Sequence, residues 1–254
     1  PSSESADTTP VSAEPGSDSN VVALHPATEA KAPTSDSRPA APASDASLTT
    51  VSWDALKPVT PATFTAYEAP PKSARRILVT VKHVAKLGDE YGFTEDGCDV
   101  RREFMEFGLN ELDDAALEEA LRCVEKLGAG EVVAVSVGDE DADASLLKAL
   151  AKGAHRAVRI WDPALSNADP ITISRAIAGI AKAEDPDLIF TGVQSGDQAH
   201  GATGTALARI LDLPHAAVVV GFEWDGSGPL KLTRELEGGL RHSFDLKAPA
   251  VVAL

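Results

Sequence analysis

The stretch DLIFTGVQSGDQAHGATGTALARIL, residues 187–211, decides how the chain folds. Asp187 to Thr191 is an almost unbroken apolar run, the pattern of a short strand covered on both faces. Glycines and small polar residues follow from Gly192 to Gly201, and Ala202 to Leu211 then carries apolar residues at helical spacing. A buried strand joined to a helix by such a loop is the repeating unit of a parallel α/β sheet.

The same unit recurs upstream. Arg76 to Lys82 is a nearly continuous apolar run, and after a polar, Gly-containing stretch Asp113 to Lys126 has apolar residues at 116, 117, 120, 121 and 124. Acids in the first turn and Lys126 in the last favour the helix dipole, and Gly128 and Gly130 stop the helix. Glu131 to Val137 reads as a second strand, Ala142 to Lys152 as a helix closed by Gly153, and Ala157 to Trp161 as a third strand. Asp169 to Ala183 reads as a helix ended before Pro186. Four strands, each followed by a helix, imply parallel pairing with right-handed crossovers. The fold class is therefore α/β, an open, doubly wound, mostly parallel Rossmann-like sheet. His215–Glu223, Leu230–Arg234, Leu240–Leu246 and Ala250–Leu254 read as strands of an antiparallel or mixed C-terminal extension. Because Leu254 falls inside an apolar strand, this 73–254 domain is expected to continue further or to be completed by another chain.

Residues 1–72 differ in kind. They hold 11 of the 17 prolines, with many Ala, Ser and Thr and few large aliphatics. Such a segment buries too little apolar surface to offset the entropy of ordering it, so it is expected to be a mostly disordered arm. Val51, Trp53, Leu56, Phe64 and Tyr67 leave open a short docking segment within it.

The net charge of −16, from 39 acidic and 23 basic residues, repels phosphate backbones and anionic membranes, so no nucleic-acid partner is expected. Such an acidic surface would suit a salt-rich, halophilic cytoplasm, a hypothesis that loss of stability in added molar salt would contradict. Cys98 and Cys123 have neither C-x-x-C spacing nor a His cluster, which supports no disulfide framework and no metal site. No apolar run reaches membrane-spanning length and no secretion signal is visible, so the expected compartment is the cytoplasm, without membrane insertion.

Ligands of an open parallel sheet settle at the carboxyl ends of its strands, where strand order reverses. The strand ends here are Thr80–Lys82, Ser136–Gly138 and the loop from Thr191 to Asp197. With Gly192, Gly196, Gly201 and Gly204, that loop lets backbone N–H groups approach a phosphate at a helix N-terminus. It is neither a Walker A nor a G-x-G-x-x-G sequence, and a plain strand-to-helix turn would also use one or two glycines. Asp197 suits ribose hydroxyls, a metal or a turn cap. Lys82 and His83 lack a spaced partner, and no nucleophile with an adjacent base emerges, as expected where the chemistry belongs to a cofactor.

Taken together, ILVTVKHV (77–84), NELD (110–113), ALEEA (116–120), ALAKGAHRA (149–157), DLIFTGVQ (187–194), RELEGG (234–239) and PAVV (249–252) resemble, in order and spacing, the β subunit of electron transfer flavoproteins. The resemblance runs from about Arg75 to Leu254. It implies a heterodimer with an α subunit that holds most of an FAD, an electron carrier rather than an enzyme with its own catalytic residues. Dehydrogenases would supply the electrons and a quinone oxidoreductase would remove them. It also implies a pocket in this chain for AMP or, in electron-bifurcating members, a second FAD. Carried across by motif, the pocket would use Thr80, Asn110, Glu111, Leu112, Asp113 and Val137. Gly192, Val193, Gln194, Ser195, Gly196, Asp197, Gly201, Thr203 and Gly204 would wrap the phosphate. Three departures stand out: Val193 where many relatives have Lys or Arg, Glu111 where a Pro usually follows the Asn, and Leu87 near the position of an aromatic offered to the flavin, with Tyr91 nearby. The family's signature and its dehydrogenase-recognition loop would lie beyond Leu254. The competing reading is a nucleotide-binding sensor or stress-type module of the same class, without redox role.

Overall fold

A computed structural model describes residues 67–97 and 100–254 together with two short strands, β1 (Asn20–Leu24) and β2 (Thr49–Ser52). The remainder of the 1–72 arm, including Trp53, Leu56 and Phe64, and Cys98 lie outside the described residues. β1 pairs antiparallel with β2 on one side and with an edge of the main sheet on the other.

The folded chain then runs β3 (Arg76–Thr80), β4 (His83–Leu87), β5 (Met105–Leu109), α1 (Glu111–Leu127), β6 (Glu131–Val137), α2 (Asp143–Lys152), β7 (Arg156–Trp161), α3 (Pro170–Glu184), β8 (Leu188–Thr191) and α4 (Thr203–Leu211). It ends with β9 (His215–Ala216), β10 (Val219–Glu223), β11 (Leu230–Glu235), β12 (Arg241–Leu246) and β13 (Ala250–Ala253). The main sheet has the order β2-β1-β7-β6-β3-β8-β13-β9, and its six strands from β7 to β9 are parallel. The open, doubly wound α/β sheet expected from the sequence is thus the fold.

All five residues of β3 are buried because helices cover both faces. Ile77 and Val79 pack with Leu117 and Ala120 of α1 and Leu146 of α2, while Leu78 packs with Ile177 of α3 and Leu207 of α4. Gly128 and Gly153 close α1 and α2 in the left-handed conformation, with φ of 72° and 119°. Asp169 caps α3 by accepting the N–H groups of Ile171 and Thr172, at 2.8 and 3.1 Å.

Two features differ from the sequence reading. The polar stretch after β3 contains an antiparallel hairpin, β4 with β5. His215–Glu223 is not one strand: Val218 turns with φ 58°, so β9 stays in the main sheet while β10 begins a separate antiparallel sheet, β10-β11-β12. β13 then returns to the main sheet, parallel to β8.

Candidate functional site

The sheet is built outward from β3 to β6 and β7, and the chain then crosses back to place β8 on the other side of β3. Strand order reverses between β3 and β8, and a crevice of about 300 Å³ opens beyond their carboxyl ends. Thr80, Val135 and Val137 form its floor. Trp161, Leu165, Ile173 and Ile177 form an apolar wall, and the loop after β8 forms the opposite side.

Asn110 and Asp113 build that loop side. Asn110 stands at the N-cap of α1 without capping it; its side chain donates to Gln194 O at 3.0 Å and accepts Gly196 N–H at 3.1 Å. Asp113, 6 % exposed, accepts Gly192 N–H and Lys82 N–H, both at 2.9 Å. One helix start therefore clamps the main chain leaving both strands at the switch point. Burial pushes the Asp113 carboxyl up to about 6, with the two N–H donors, Asn110 and the Lys82 charge pulling the other way.

Because that value lies above the ordinary carboxylate range, the folded chain favours the protonated form more than the unfolded chain does. The contribution of Asp113 to stability is full below about pH 4 and falls, by about 3 kcal/mol, as the pH rises to about 6. Urea unfolding of the parent and Asp113→Asn from pH 4 to pH 7 should show the difference between them shifting by that amount. A difference independent of pH would contradict the assignment.

Of the residues expected in the pocket, Thr80, Asn110, Asp113, Val137, Gly192, Val193, Gln194, Ser195, Asp197, Gly201 and Thr203 line the crevice. Glu111 is turned outward to Lys86, at 3.1 Å, and Leu112 is half-buried behind it. Neither lines the crevice, because successive helical residues point about 100° apart and these two lie on faces of α1 turned away from the switch point. Gly196 and Gly204 act from behind. The amides of Gly192 and Gly196, expected to meet a phosphate, are already engaged by Asp113 and Asn110. The reason for Gly192 is close approach: a Cβ there would lie 2.4 Å from Asp113 Oδ1.

What remains open to a ligand is the start of α4. Ala202 gives that helix no side-chain cap, so its first N–H groups point at the crevice with their partial positive charge. Beneath them Thr191, 2 % exposed, holds a buried Oγ1 without a hydrogen-bond partner. A Cβ on Gly204 would come within 2.7 Å of that oxygen, so glycine keeps the helix start close to it. The Ser174 hydroxyl is shared between two carbonyls, Pro170 O at 2.6 Å and Thr203 O at 3.0 Å, and ties the start of α4 to α3.

Asp139, Trp161, Ile173 and Gln198, which sequence reading did not assign to the pocket, also line the crevice, as does Lys82, which it placed at a strand end without a partner. Trp161 had a signal, since it ends the third parallel strand. Lys82 had its strand-end position, but its partners are 113–116 residues away in sequence. No group of three or more His, Cys, Asp or Glu among the described residues is placed to hold a metal. No described helix is long and apolar enough to cross a membrane.

Comparison with known proteins adds an independent line. Residues 102–254 match the model of the electron transfer flavoprotein domain. The chain is 45 % identical over 181 residues to the electron transfer flavoprotein subunit beta of Methylophilus methylotrophus, covering 70 % of this chain and 69 % of that protein. It is 34 % identical over 177 residues to the protein of that name from Bradyrhizobium diazoefficiens, with 70 % of each covered. The Homo sapiens counterpart is 33 % identical over 179 residues, with 70 % and 69 % covered.

Proposed function

The chain belongs to the electron transfer flavoprotein β-subunit family, and from that membership we propose that it binds an adenine nucleotide at the β3/β8 switch point and pairs with an α subunit. The α subunit carries most of an FAD, and the flavin supplies the redox chemistry when bound. The residues of this chain orient and shield that cofactor, which receives electrons from dehydrogenases and passes them toward a quinone oxidoreductase. The single observation that carries the nucleotide reading is the unpartnered, buried Thr191 hydroxyl under the uncapped start of α4. A buried hydroxyl left unpaired is costly, and a phosphate oxygen at a helix N-terminus is the partner it suits. The apolar wall of Trp161, Leu165, Ile173 and Ile177 suits a purine face. A crevice of about 300 Å³ lies at the small end of ligand cavities. That volume is enough for the adenylate part of such a nucleotide.

The test is purification of the full complex from its native host, followed by release and identification of bound cofactors by absorbance and mass. One AMP for each copy of this chain, in a yellow complex, is the expected result. A colourless homodimer would point instead to the sensor reading, and a chain that releases no nucleotide would refute the pocket. Thr191→Val supplies a sharper check, since it removes the hydroxyl and keeps the shape. Thermal unfolding of the nucleotide-free chain should show a gain of about 1 kcal/mol. Titration with AMP should show roughly tenfold weaker binding. A hydroxyl serving only the fold would not give gain and loss together.

A further inference from the structure

Resting on the adenine nucleotide reading, we propose that Lys82 is the phosphate's counter-charge, held in reserve by Asp197, and that nucleotide binding exchanges one partner for the other. Lys82 is the only Lys or Arg among the described residues lining the crevice, whereas Asp113, Asp139 and Asp197 all line it. A phosphate entering this site meets three carboxylates, so the single ammonium decides whether an anion is tolerated. At present that ammonium is committed elsewhere. Nζ donates to Asp197 Oδ1 at 2.8 Å, Gln198 Oε1 at 2.9 Å and Ser195 Oγ at 3.3 Å, which uses its three protons.

The geometry suits exchange. The Lys82 main chain is fixed, its N–H held by Asp113 and its carbonyl accepting Asn110 N–H at 2.9 Å. Its four-carbon stem is free to swing within the crevice. The ion pair is neither locked in the interior nor fully in water: the side chains are 35 % and 23 % exposed. Hydrogen bonds and charge from Lys82, with Ser195, hold the Asp197 carboxyl below its ordinary range despite burial. Asp197 therefore stays charged and competes with phosphate for the same ammonium. With Val193 offering no cation in the loop, no other Lys or Arg among the described residues lines the crevice.

A purely structural strut between Lys82 and Asp197 makes different predictions. Losing either end of a strut would loosen the loop, weakening every ligand. In an exchange the two substitutions act in opposite directions, and only on ligands that carry a phosphate. The experiment is calorimetric titration of the nucleotide-free full chain with AMP and with adenosine, for the parent, Lys82→Gln and Asp197→Asn. Lys82→Gln is expected to weaken AMP at least tenfold, about the effect of losing a charged hydrogen bond. Asp197→Asn is expected to tighten AMP roughly threefold, as expected for removing a competing, half-exposed ion pair. Adenosine should bind all three proteins alike. If both variants weaken AMP and adenosine together, the pair is a strut and the exchange is wrong. Should Lys82→Gln fail to fold, the Asp197→Asn arm decides alone, since weaker AMP binding there overturns the proposal. A parent chain that binds AMP with variants moving in the same direction refutes only the exchange. A parent that binds neither ligand removes the nucleotide reading and the exchange with it.

Discussion

Replacing Glu184 by Ala is expected to remove about 3–5 kcal/mol of stability, the range for breaking a buried ion pair from one side. Glu184 ends α3 and is fully buried. Both its oxygens accept from Arg156, at 2.7 Å each, and Arg76 Nη1 lies 3.0 Å from Oε2. Tyr67 donates to the same carboxylate, and its phenol is pushed well above its ordinary value by burial and by the Glu184 charge. Glu131 completes the group: burial raises its carboxyl, but Arg156 and Arg76 outweigh that and hold it below the usual range. Two guanidinium groups and two carboxylates balance. In Glu184→Ala, Arg76 and Arg156, 2 % and 7 % exposed, would face one half-buried carboxylate. The loss would be felt at the foot of β3, β6, β7 and α3 together, because each contributes one member. Urea unfolding of the full chain measures it, and a shift below about 1 kcal/mol would show that water already screens the group.

Gly192→Val is expected to abolish nucleotide binding and to lower stability by about 1–3 kcal/mol, as overpacking typically does. The added Cβ would stand 2.4 Å from Asp113 Oδ1, 2.9 Å from Asp113 N and 3.0 Å from Leu112 C. Two of these three atoms are main chain at the start of α1, which cannot rotate away. Relief therefore requires α1 and the loop after β8 to separate, which breaks the Asp113 bond to Gly192 N–H and loosens the Asn110 bonds to Gln194 and Gly196. Gly108→Ala is the control: a Cβ on Gly108 of the hairpin meets nothing within 4 Å. AMP titration and thermal unfolding of both variants should separate them cleanly. Parent-like AMP affinity in Gly192→Val would mean that the clamp plays no part in shaping the crevice.

Much of this protein is written in local pattern. The alternation of apolar runs with helical spacing gave β3, β6, β7 and β8 and their four helices to within a residue or two, because the side chains of a doubly covered sheet must be apolar wherever they point. The glycine-rich loop after β8 was legible as one side of the switch-point crevice, since a strand-to-helix junction at a carboxyl end combines backbone freedom with a helix dipole. The β4–β5 hairpin was not legible: its strands, HVAKL and MEFGL, are only five residues each and sit in a polar, Gly-containing stretch, too short a pattern to stand out from a loop. Nor was the break at Val218, since a β-branched residue at positive φ runs against every local preference.

By itself, the sequence determined the fold class, the switch-point loop and the family, because each depends on residue type and spacing along the chain. Tertiary structure alone decided how the loop glycines are used, that the Thr191 hydroxyl lacks a partner, and which lysine faces the crevice. Asp113 reaches Gly192 across 79 residues, and Lys82 reaches Asp197 across 115. The physical reason is that hydrogen bonds and charges act through space, at distances near 3 Å. Which groups come that close is set only when β8 returns to lie beside β3.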